Sequence, residues 1–546
     1  MSTLAPPLRT SWHLKLAVLS ASLLFLIILA TAFAQPAMRQ NVQPYLLDLA
    51  RTNPDNTVSV IVQKNSKDDA SLEKEVNRLG GVVTKDLHII NAFAAELPAG
   101  QAVNLSTYPG IKWVSYDAPV QKSLLGGLIC TDCVSTTLLS NDYDYSINAN
   151  KVWNNANNSG AWLQGQNVGV AVVDSGVTNN LDLYSKNALL RSRLVAQVKV
   201  NTRASNAYDN FGHGTLVSGI IAGNGTLSLG GYIGVAPQAN IIGVKVADDQ
   251  GLASESDVVS GLQWVNDNRD KYNIKVVNLS MNSTQAQSYL VDPLDAACEI
   301  LWFNKVTVVV SAGNNGADGK PAVFAPANDP FVITVGATNT YDTATPTDDT
   351  IAPFSAFGKD ETGGVKPDIV APGINLISTK PGLAVKLALD HPDHLLEANI
   401  NYMRVAGTSF AAPQVTAAAA LLLQSEPNLT PDQVKYRLKA TALAKKAKGS
   451  WDTRASLKAY DPATMGAGYL DIYAAVTQKK ITDSANQGVP VSKLLWSGDS
   501  PVNWSSVNWS SVNWSSVNWS SVNWSSVNWS SVNWSSVNWS GDYWGD

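Results

Sequence analysis

Nucleophilic hydrolysis needs a hydroxyl, a base to take its proton, and a carboxylate to orient that base. The chain has only five histidines, so the base has few candidates. His213 stands in Asp209-Asn210-Phe211-Gly212-His213-Gly214-Thr215, ahead of the small-residue helical run Leu216 to Ala222. Glycines on both sides let the backbone pass close to other groups at the imidazole. Asp174 closes the apolar run Val168 to Val173 and opens Asp174-Ser175-Gly176. A carboxylate at the carboxyl end of a buried parallel strand faces the crevice where open α/β sheets hold ligands. Ser409 lies in Gly407-Thr408-Ser409-Phe410-Ala411-Ala412-Pro413, before the helical stretch Gln414 to Leu423. A serine at a helix start presents its own unpaired N–H outward, ready for a developing oxyanion. Taken singly these residues have plain structural uses, as a strand-end cap or a helix N-cap. Their conjunction is what points to chemistry. The other histidines carry less. His13 and His88 fall in the leader and the small leading unit. His391-Pro392-Asp393-His394 reads as a solvated loop, its proline arguing against a metal-bearing helix face.

The elements that must position these side chains follow from the apolar pattern. Val168 to Val173, Ile241 to Val246, Val276 to Leu279, Val306 to Val310 and Val332 to Val335 read as buried strands. Asp257 to Asn266 and Gln414 to Leu423 read as helices between them. Such alternation predicts an α/β domain over 145–480, with a mostly parallel sheet and helices on both faces. Residues 42–122 read as a smaller α+β unit of order β-α-β-β-α-β, the ferredoxin-like pattern. Its strands are Val58 to Val62, Val82-Val83, His88 to Leu97 and Lys112 to Val114, with Leu72, Val76 and Leu79 at helical spacing.

In that order, Asp174-Ser175-Gly176, Gly212-His213-Gly214-Thr215 and Gly407 to Pro413 closely resemble the active-site motifs of subtilisin-like serine proteases. Three more segments match: Ser311-Ala312-Gly313-Asn314-Asn315-Gly316, Lys366-Pro367-Asp368-Ile369-Val370-Ala371-Pro372-Gly373, and Gly466-Ala467-Gly468-Tyr469-Leu470-Asp471. The resemblance implies an acyl-enzyme on Ser409, with His213 as base and Asp174 as orienter. Asn314 would supply the side-chain oxyanion donor, and no metal or organic cofactor would enter the chemistry. It also implies an extended substrate bound as an added strand. Gln250-Gly251-Leu252 would line one side and Ser280-Met281-Asn282 the other. Asn282 departs from the family's usual glycine and adds a side chain beside the primary pocket. Phe324-Ala325-Pro326-Ala327 resembles the proteinase K-like branch, where an aromatic residue bounds the pocket, so apolar or modest-sized side chains are expected before the cut. The leading unit resembles the inhibitor-like propeptide, a folding template and temporary inhibitor of its own domain. Its end, near Tyr116 to Lys122, would lie in the groove until a cut within 117–145. A structural Ca2+ is a further expectation, with Asp182 and the loop Asn224 to Gly231 as contributors, and Leu383 to Arg404 is an added segment before the serine motif.

Composition and the chain ends narrow the setting. The 546 residues are 45% hydrophobic and 15% charged, against about 25% charged in typical domains. The net charge of −5 removes any general attraction to phosphate backbones, which argues against nucleic acid. Arg9, His13 and Lys15 precede the apolar stretch Leu16 to Ala34, which ends Ala32-Phe33-Ala34: a signal peptide over 1–34. A retained membrane anchor stays open, because uncharged residues continue to Met38. Either reading puts the remainder outside the cytoplasm, secreted or held at the cell surface. There Cys130-Thr131-Asp132-Cys133 fits an oxidised pair, while Cys298 reads as an inert core thiol. Residues 481–546 form a low-complexity tail in which Val-Asn-Trp-Ser-Ser repeats from Val502 to Ser540. A period of five fits neither helix nor strand, so an extended segment is expected. A rival whole-chain reading is a surface-binding protein, its indoles stacking on glycans or cell-surface polymers and its catalytic domain vestigial. An α/β-hydrolase esterase is disfavoured, since no Gly-X-Ser-X-Gly occurs and the order of the three groups differs.

Overall fold

A computed structural model describes residues 41–66, 71–122, 141–153, 162–185, 188–316, 323–382, 384–397, 399–444 and 460–495. The expected signal peptide over 1–34, Cys130 and Cys133, and the pentapeptide repeat lie outside them.

The leading unit contains α1 (Pro44–Thr52), β1 (Thr57–Lys64), α2 (Ser71–Arg78), β2 (Val82–Leu87), β3 (Ala92–Pro98), α3 (Ala99–Leu105) and β4 (Ile111–Tyr116). Its antiparallel sheet has the order β2-β3-β1-β4. From β1 onward this is the expected β-α-β-β-α-β sequence, with α1 added in front. One predicted strand starts late: His88–Ile90 is a 3-10 turn, closed by Asn91 at φ 50°. Strand periodicity divides the sheet's faces. Val60 and Val62 of β1 and Phe93 and Ala95 of β3 join the unit's own core under its helices. Ile61, Ala92 and Ala94 face the other way and enter the core of the large domain. A short strand, β5 (Pro119–Lys122), follows.

The large domain is built on β6 (Gly169–Asp174), β7 (Leu194–Lys199), α4 (His213–Ala222), β8 (Asn240–Lys245), β9 (Ala253–Ser254), α5 (Glu255–Asn268), β10 (Ile274–Leu279), β11 (Met281–Ser283), α6 (Pro293–Phe303), β12 (Thr307–Ser311), β13 (Ile333–Asn339), β14 (Thr350–Ile351), β15 (Ile369–Pro372), β16 (Leu376–Thr379), α7 (Lys386–Asp390), β17 (Tyr402–Val405), α8 (Thr408–Ser425) and α9 (Pro431–Thr441). The main sheet runs β14-β13-β12-β10-β6-β8-β7, with β15 also beside β13. Every pairing in it is parallel except β13 with β14. Strands β6 and β12 are buried along their whole length, as a parallel sheet covered on both faces requires. The α/β architecture expected from the apolar runs is therefore the one observed.

Two boundaries differ from expectation in ways that matter. Helix α8 starts at Thr408, six residues before the predicted Gln414, and carries Pro413 inside it. Proline has no N–H for the carbonyl four residues back. That carbonyl belongs to Ser409, and it accepts from Ser280 Oγ at 2.8 Å instead. Residues 481–495 also do not belong with the repeat tail. Val491, Leu494 and Leu495 are buried in the main core, and Ser492 N–H donates to the Glu299 carboxylate. Gln63 of the leading unit donates to the Leu494 carbonyl at 2.6 Å. Apolar side chains at 491, 494 and 495 give this stretch a core to join, which the repeat does not share. No helix among the described residues is long and apolar enough to cross a membrane.

Candidate active site

Asp174 ends β6, His213 opens α4, and Ser409 sits in the first turn of α8. All three are fully buried. His213 Nδ1 lies 2.8 and 2.9 Å from the two Asp174 oxygens. A carboxylate only accepts, so Nδ1 carries the hydrogen and Nε2 carries a lone pair. That Nε2 is buried and has no hydrogen-bond partner among the described residues. The His213 ring packs against Phe410, centroids 5.1 Å apart, immediately beside Ser409. Ser409 Oγ donates to the Ser280 carbonyl at 3.2 Å.

The loop before His213 is held by Asp209, a residue that the motifs alone do not single out. Asp209 Oδ1 accepts from Ser175 Oγ at 2.8 Å and from Gly212 N–H at 2.7 Å. Its Oδ2 accepts from the Thr215 N–H and hydroxyl, both at 2.8 Å. Asp209 therefore locks the first turn of α4 to the end of β6, one residue beyond Asp174. The glycine after His213 is required by space, since a Cβ at Gly214 would lie 2.1 Å from the Gly176 carbonyl oxygen. A carboxylate three residues before a glycine–histidine pair was the available signal for Asp209. It reads equally well as a turn residue.

Asn314 follows β12 in the Gly313 turn. Its Oδ1 accepts from Thr408 N–H at 3.0 Å and from Thr408 Oγ1 at 2.9 Å. Two donors on one oxygen fix which way the amide points. Its Nδ2 is left buried and unpartnered among the described residues, a preoriented donor at the mouth of α8. Gly407, at φ 143°, turns the chain into that helix in a backbone conformation suited to glycine.

The groove is defined by what occupies it. Strand β5 pairs antiparallel with β9 on one side and β11 on the other. Val120 is opposite Ala253 and Pro119 opposite Ser254, while Lys122 is opposite Met281, Gln121 opposite Asn282 and Val120 opposite Ser283. The expected edge at 281–282 is thus paired, but on the other side pairing falls at 253–254 rather than 250–252. The reason is local. Asp248 Oδ1 accepts the N–H groups of Gln250 and Leu252, and the Leu252 carbonyl accepts from Asp248 N–H. That turn consumes the backbone groups a neighbouring strand would need. Gly251, at φ 88°, sits at its tip against the Phe211 ring, and Leu252 is exposed. Ser280 lies just before β11 and is bonded to Ser409 in both directions. Asn282 is buried and donates to the Ser311 carbonyl at 2.9 Å, tying its extra side chain to the end of β12. Half-buried Phe324 belongs to the segment whose Ala325 carbonyl accepts from Ser283 N–H at 2.7 Å.

The leading unit is fastened where β5 begins. Asp117 caps α5, accepting from Ser256 N–H at 2.7 Å and from the Ser256 hydroxyl. Burial pushes the Asp117 carboxyl above its ordinary range. Lys85 reaches Ser256 Oγ and Asp257 Oδ1, both at 2.8 Å, and Glu255 N–H donates to the Ala118 carbonyl at 2.8 Å.

The residues expected to hold Ca2+ do not fit it. Asp182 Oδ1 accepts Leu227 N–H at 2.8 Å, and its Oδ2 accepts the Tyr402 hydroxyl. Asn224 Oδ1 accepts the N–H and hydroxyl of Thr226. An ion that takes six to eight oxygens finds these already turned toward protein donors. Cys298 is a buried free thiol, pushed well above its ordinary value by burial and then by nearby carboxylates.

Residues 165–468 match the profile of the Subtilase family. The chain is 37% identical over 286 residues to the serine protease AprX of Bacillus subtilis, covering 52% of this chain and 62% of that protein. It is 29% identical over 371 residues to subtilisin NAT of Bacillus subtilis subsp. natto, covering 67% of this chain and 79% of that one. Among solved structures it resembles fervidolysin from Fervidobacterium pennivorans, a keratinolytic enzyme related to subtilisin. The TM-score is 0.56 at 25% identity, over 77% of this chain and 61% of that one. The match thus spans less than two thirds of the length of AprX and of fervidolysin.

Proposed function

Because this chain belongs to the subtilase family, we propose that it is a serine endopeptidase, exported and made as a proenzyme, with Asp174, His213 and Ser409 as its triad. The observation that carries the reading is a pair of buried atoms with no hydrogen-bond partner among the described residues: the His213 Nε2 lone pair and the Asn314 Nδ2 donor. Burying such groups without partners costs stability, about 1–3 kcal/mol each, and is the state expected of groups kept for a reaction.

In the proposed cycle the Ser409 hydroxyl rotates from the Ser280 carbonyl toward His213 Nε2 and attacks the peptide carbonyl as Nε2 takes its proton. Asp174 keeps the Nδ1 hydrogen in place and stabilises the imidazolium. Asn314 Nδ2 and the Ser409 N–H receive the oxyanion. The imidazolium then gives its proton to the leaving amine, and water, activated by the same nitrogen, releases the acyl group. Substrate enters as an extended strand between β9 and β11, the place β5 takes in the proenzyme. Residues 42–122 act there as an intramolecular inhibitor, removed by a cut within 117–145. Pairing of β5 on both edges supports this reading.

Casein hydrolysis and labelling by a serine-directed fluorophosphonate test it together. Native protein should do both, and Ser409→Ala should do neither; hydrolysis surviving in Ser409→Ala would overturn the assignment. Asn314→Ala should keep the fold and lower turnover by about 10²–10³, the size of effect measured in subtilisin itself.

A further inference from the structure

The added segment before the serine motif holds a side-chain cluster that proteolysis does not use. His391, Asp393 and His394 each offer one ligand atom, and the three atoms all lie within 4.8 Å of one another. The proline that argues against a regular helix is what brings them together. Pro392 opens a 3-10 turn, Pro392–His394, that folds the two imidazoles onto one side, ring centroids 5.4 Å apart.

The tautomer of one ring is fixed. His394 Nδ1 lies 3.1 Å from the Arg404 carbonyl oxygen. A carbonyl only accepts, so Nδ1 bears the hydrogen and Nε2 the lone pair. That Nε2 is buried, has no hydrogen-bond partner among the described residues, and lies 3.9 Å from Asp393 Oδ2. An imidazole whose far N–H is held by a backbone carbonyl is the arrangement that surrounds metal-bound histidine. The turn itself is well anchored. Lys386 N–H donates to the Asn210 carbonyl, Leu387 N–H to the Phe211 carbonyl, and His391 N–H to the Leu387 carbonyl. On its other side β17 pairs with β16.

We propose that His391, Asp393 and His394 form a binding site for one divalent ion of the zinc class, with a fourth position left to water. Two imidazoles and one carboxylate match zinc, whereas Ca2+ and Mg2+ ask for oxygen ligands alone. Bonds of about 2.0–2.2 Å in tetrahedral geometry require the three atoms to close up slightly. Asp393 is exposed and His391 half-buried, so both have room to do so.

The test uses the full chain carrying Ser409→Ala, so that its result does not depend on whether the protein cleaves itself or anything else. Equilibrium dialysis against Zn2+, followed by metal analysis, should find one ion per chain that excess Ca2+ does not displace. His394→Gln and, separately, His391→Ala should weaken it at least tenfold. His88→Gln, which alters the contacts of His88 with Asp86 and Asp267, should leave it unchanged. No retained Zn2+, or retention untouched by both His391→Ala and His394→Gln, would overturn the site.

Discussion

Two regions of the large domain bury carboxylates in opposite ways. Asp368, next to β15, is 2% exposed and surrounded by lysine amines, Lys366 at 2.9 Å, Lys435 at 3.1 Å and Lys439 at 2.8 Å, of which burial pulls Lys435 down to about 7. Burial alone would raise its carboxyl; the three lysines outweigh burial and hold it well below the usual range. The other region is a seam from the start of α5 to α6 and the loop before β13, containing Glu255, Asp292, Asp295, Glu299 and Asp329. Burial raises all five, and repulsion from neighbouring acids adds to it at Glu255, Asp295 and Glu299. Asp292 is pushed to about 6 and Asp329 to about 7. Both oxygens of Asp295 and one of Asp329 have no hydrogen-bond partner among the described residues. One region neutralises its charge mainly with lysines and the other mainly with protons, though Lys366 and Lys435 also pull Asp329 down. Their responses to pH must therefore have opposite signs.

The lysine-bound region should give the largest effect when broken. Lys435 also donates to the carbonyls of Pro330 and Val332, at 2.6 and 2.8 Å, holding the chain that leads away from Phe324. Lys435→Met strips a buried carboxylate of one partner and leaves those carbonyls without their donor. Unfolding by urea should show a loss of about 3–5 kcal/mol. A change below about 1 kcal/mol would mean that Lys366 and Lys439 suffice for Asp368.

The seam should respond next. Folded Asp329 keeps its proton up to about 7, whereas the unfolded chain releases it near 3.8. Between those values the folded state binds more protons. Its contribution to stability is therefore complete below pH 4 and lost as pH rises through about 7. Asp329→Asn keeps an oxygen for the Phe331 N–H, bonded at 2.7 Å, and removes the titration. In a Ser409→Ala background it should flatten the stability curve over pH 4–7 by up to about 1.4 kcal/mol per pH unit. Asp368 runs the other way, its contribution lost only as pH falls below the usual carboxylate range. An unchanged slope in Asp329→Asn would remove the contrast between the regions.

This contrast was not legible in the sequence, and the reason is physical. Asp295 and Glu299 stand four apart on α6, the spacing of a solvated helix face, and only the packing of α5 and the leading unit shows that the face is covered. Lys366 and Asp368 lie in a quoted motif, but Lys435 and Lys439 come from a helix about seventy residues later. What the sequence did reveal was local. Strands announced themselves as apolar runs because a covered parallel sheet has no polar face, and the three motifs were readable because glycines and small residues mark close backbone approach. The groove edge at 253–254 and the freed Ser409 carbonyl depended on a turn at Asp248 and on where α8 starts. Single-residue boundaries of that kind are set by tertiary contacts that periodicity does not encode.

The seam also reaches the leading unit through Asp117, which neighbours Glu255, and this joins buried charge to the proposed activation. Burial raises Asp117 while it is docked, partly offset by the Ser256 bonds and by Lys85. Once the unit leaves, the carboxyl returns to water and its ordinary value. The docked form therefore holds the extra proton, so docking is strongest in acid and weakens as pH rises through the docked value. Asp117→Asn retains an acceptor for Ser256 N–H and loses the charge. After a shift from pH 5 to pH 8, the lag before casein hydrolysis should lengthen several-fold relative to the native chain, about tenfold for each pH unit by which docking had raised the carboxyl. Asp117→Ala, which removes the acceptor for the Ser256 N–H and hydroxyl, should shorten the lag instead. If both substitutions shorten it equally, the bonds to Ser256 hold the leading unit in place and the proton does not.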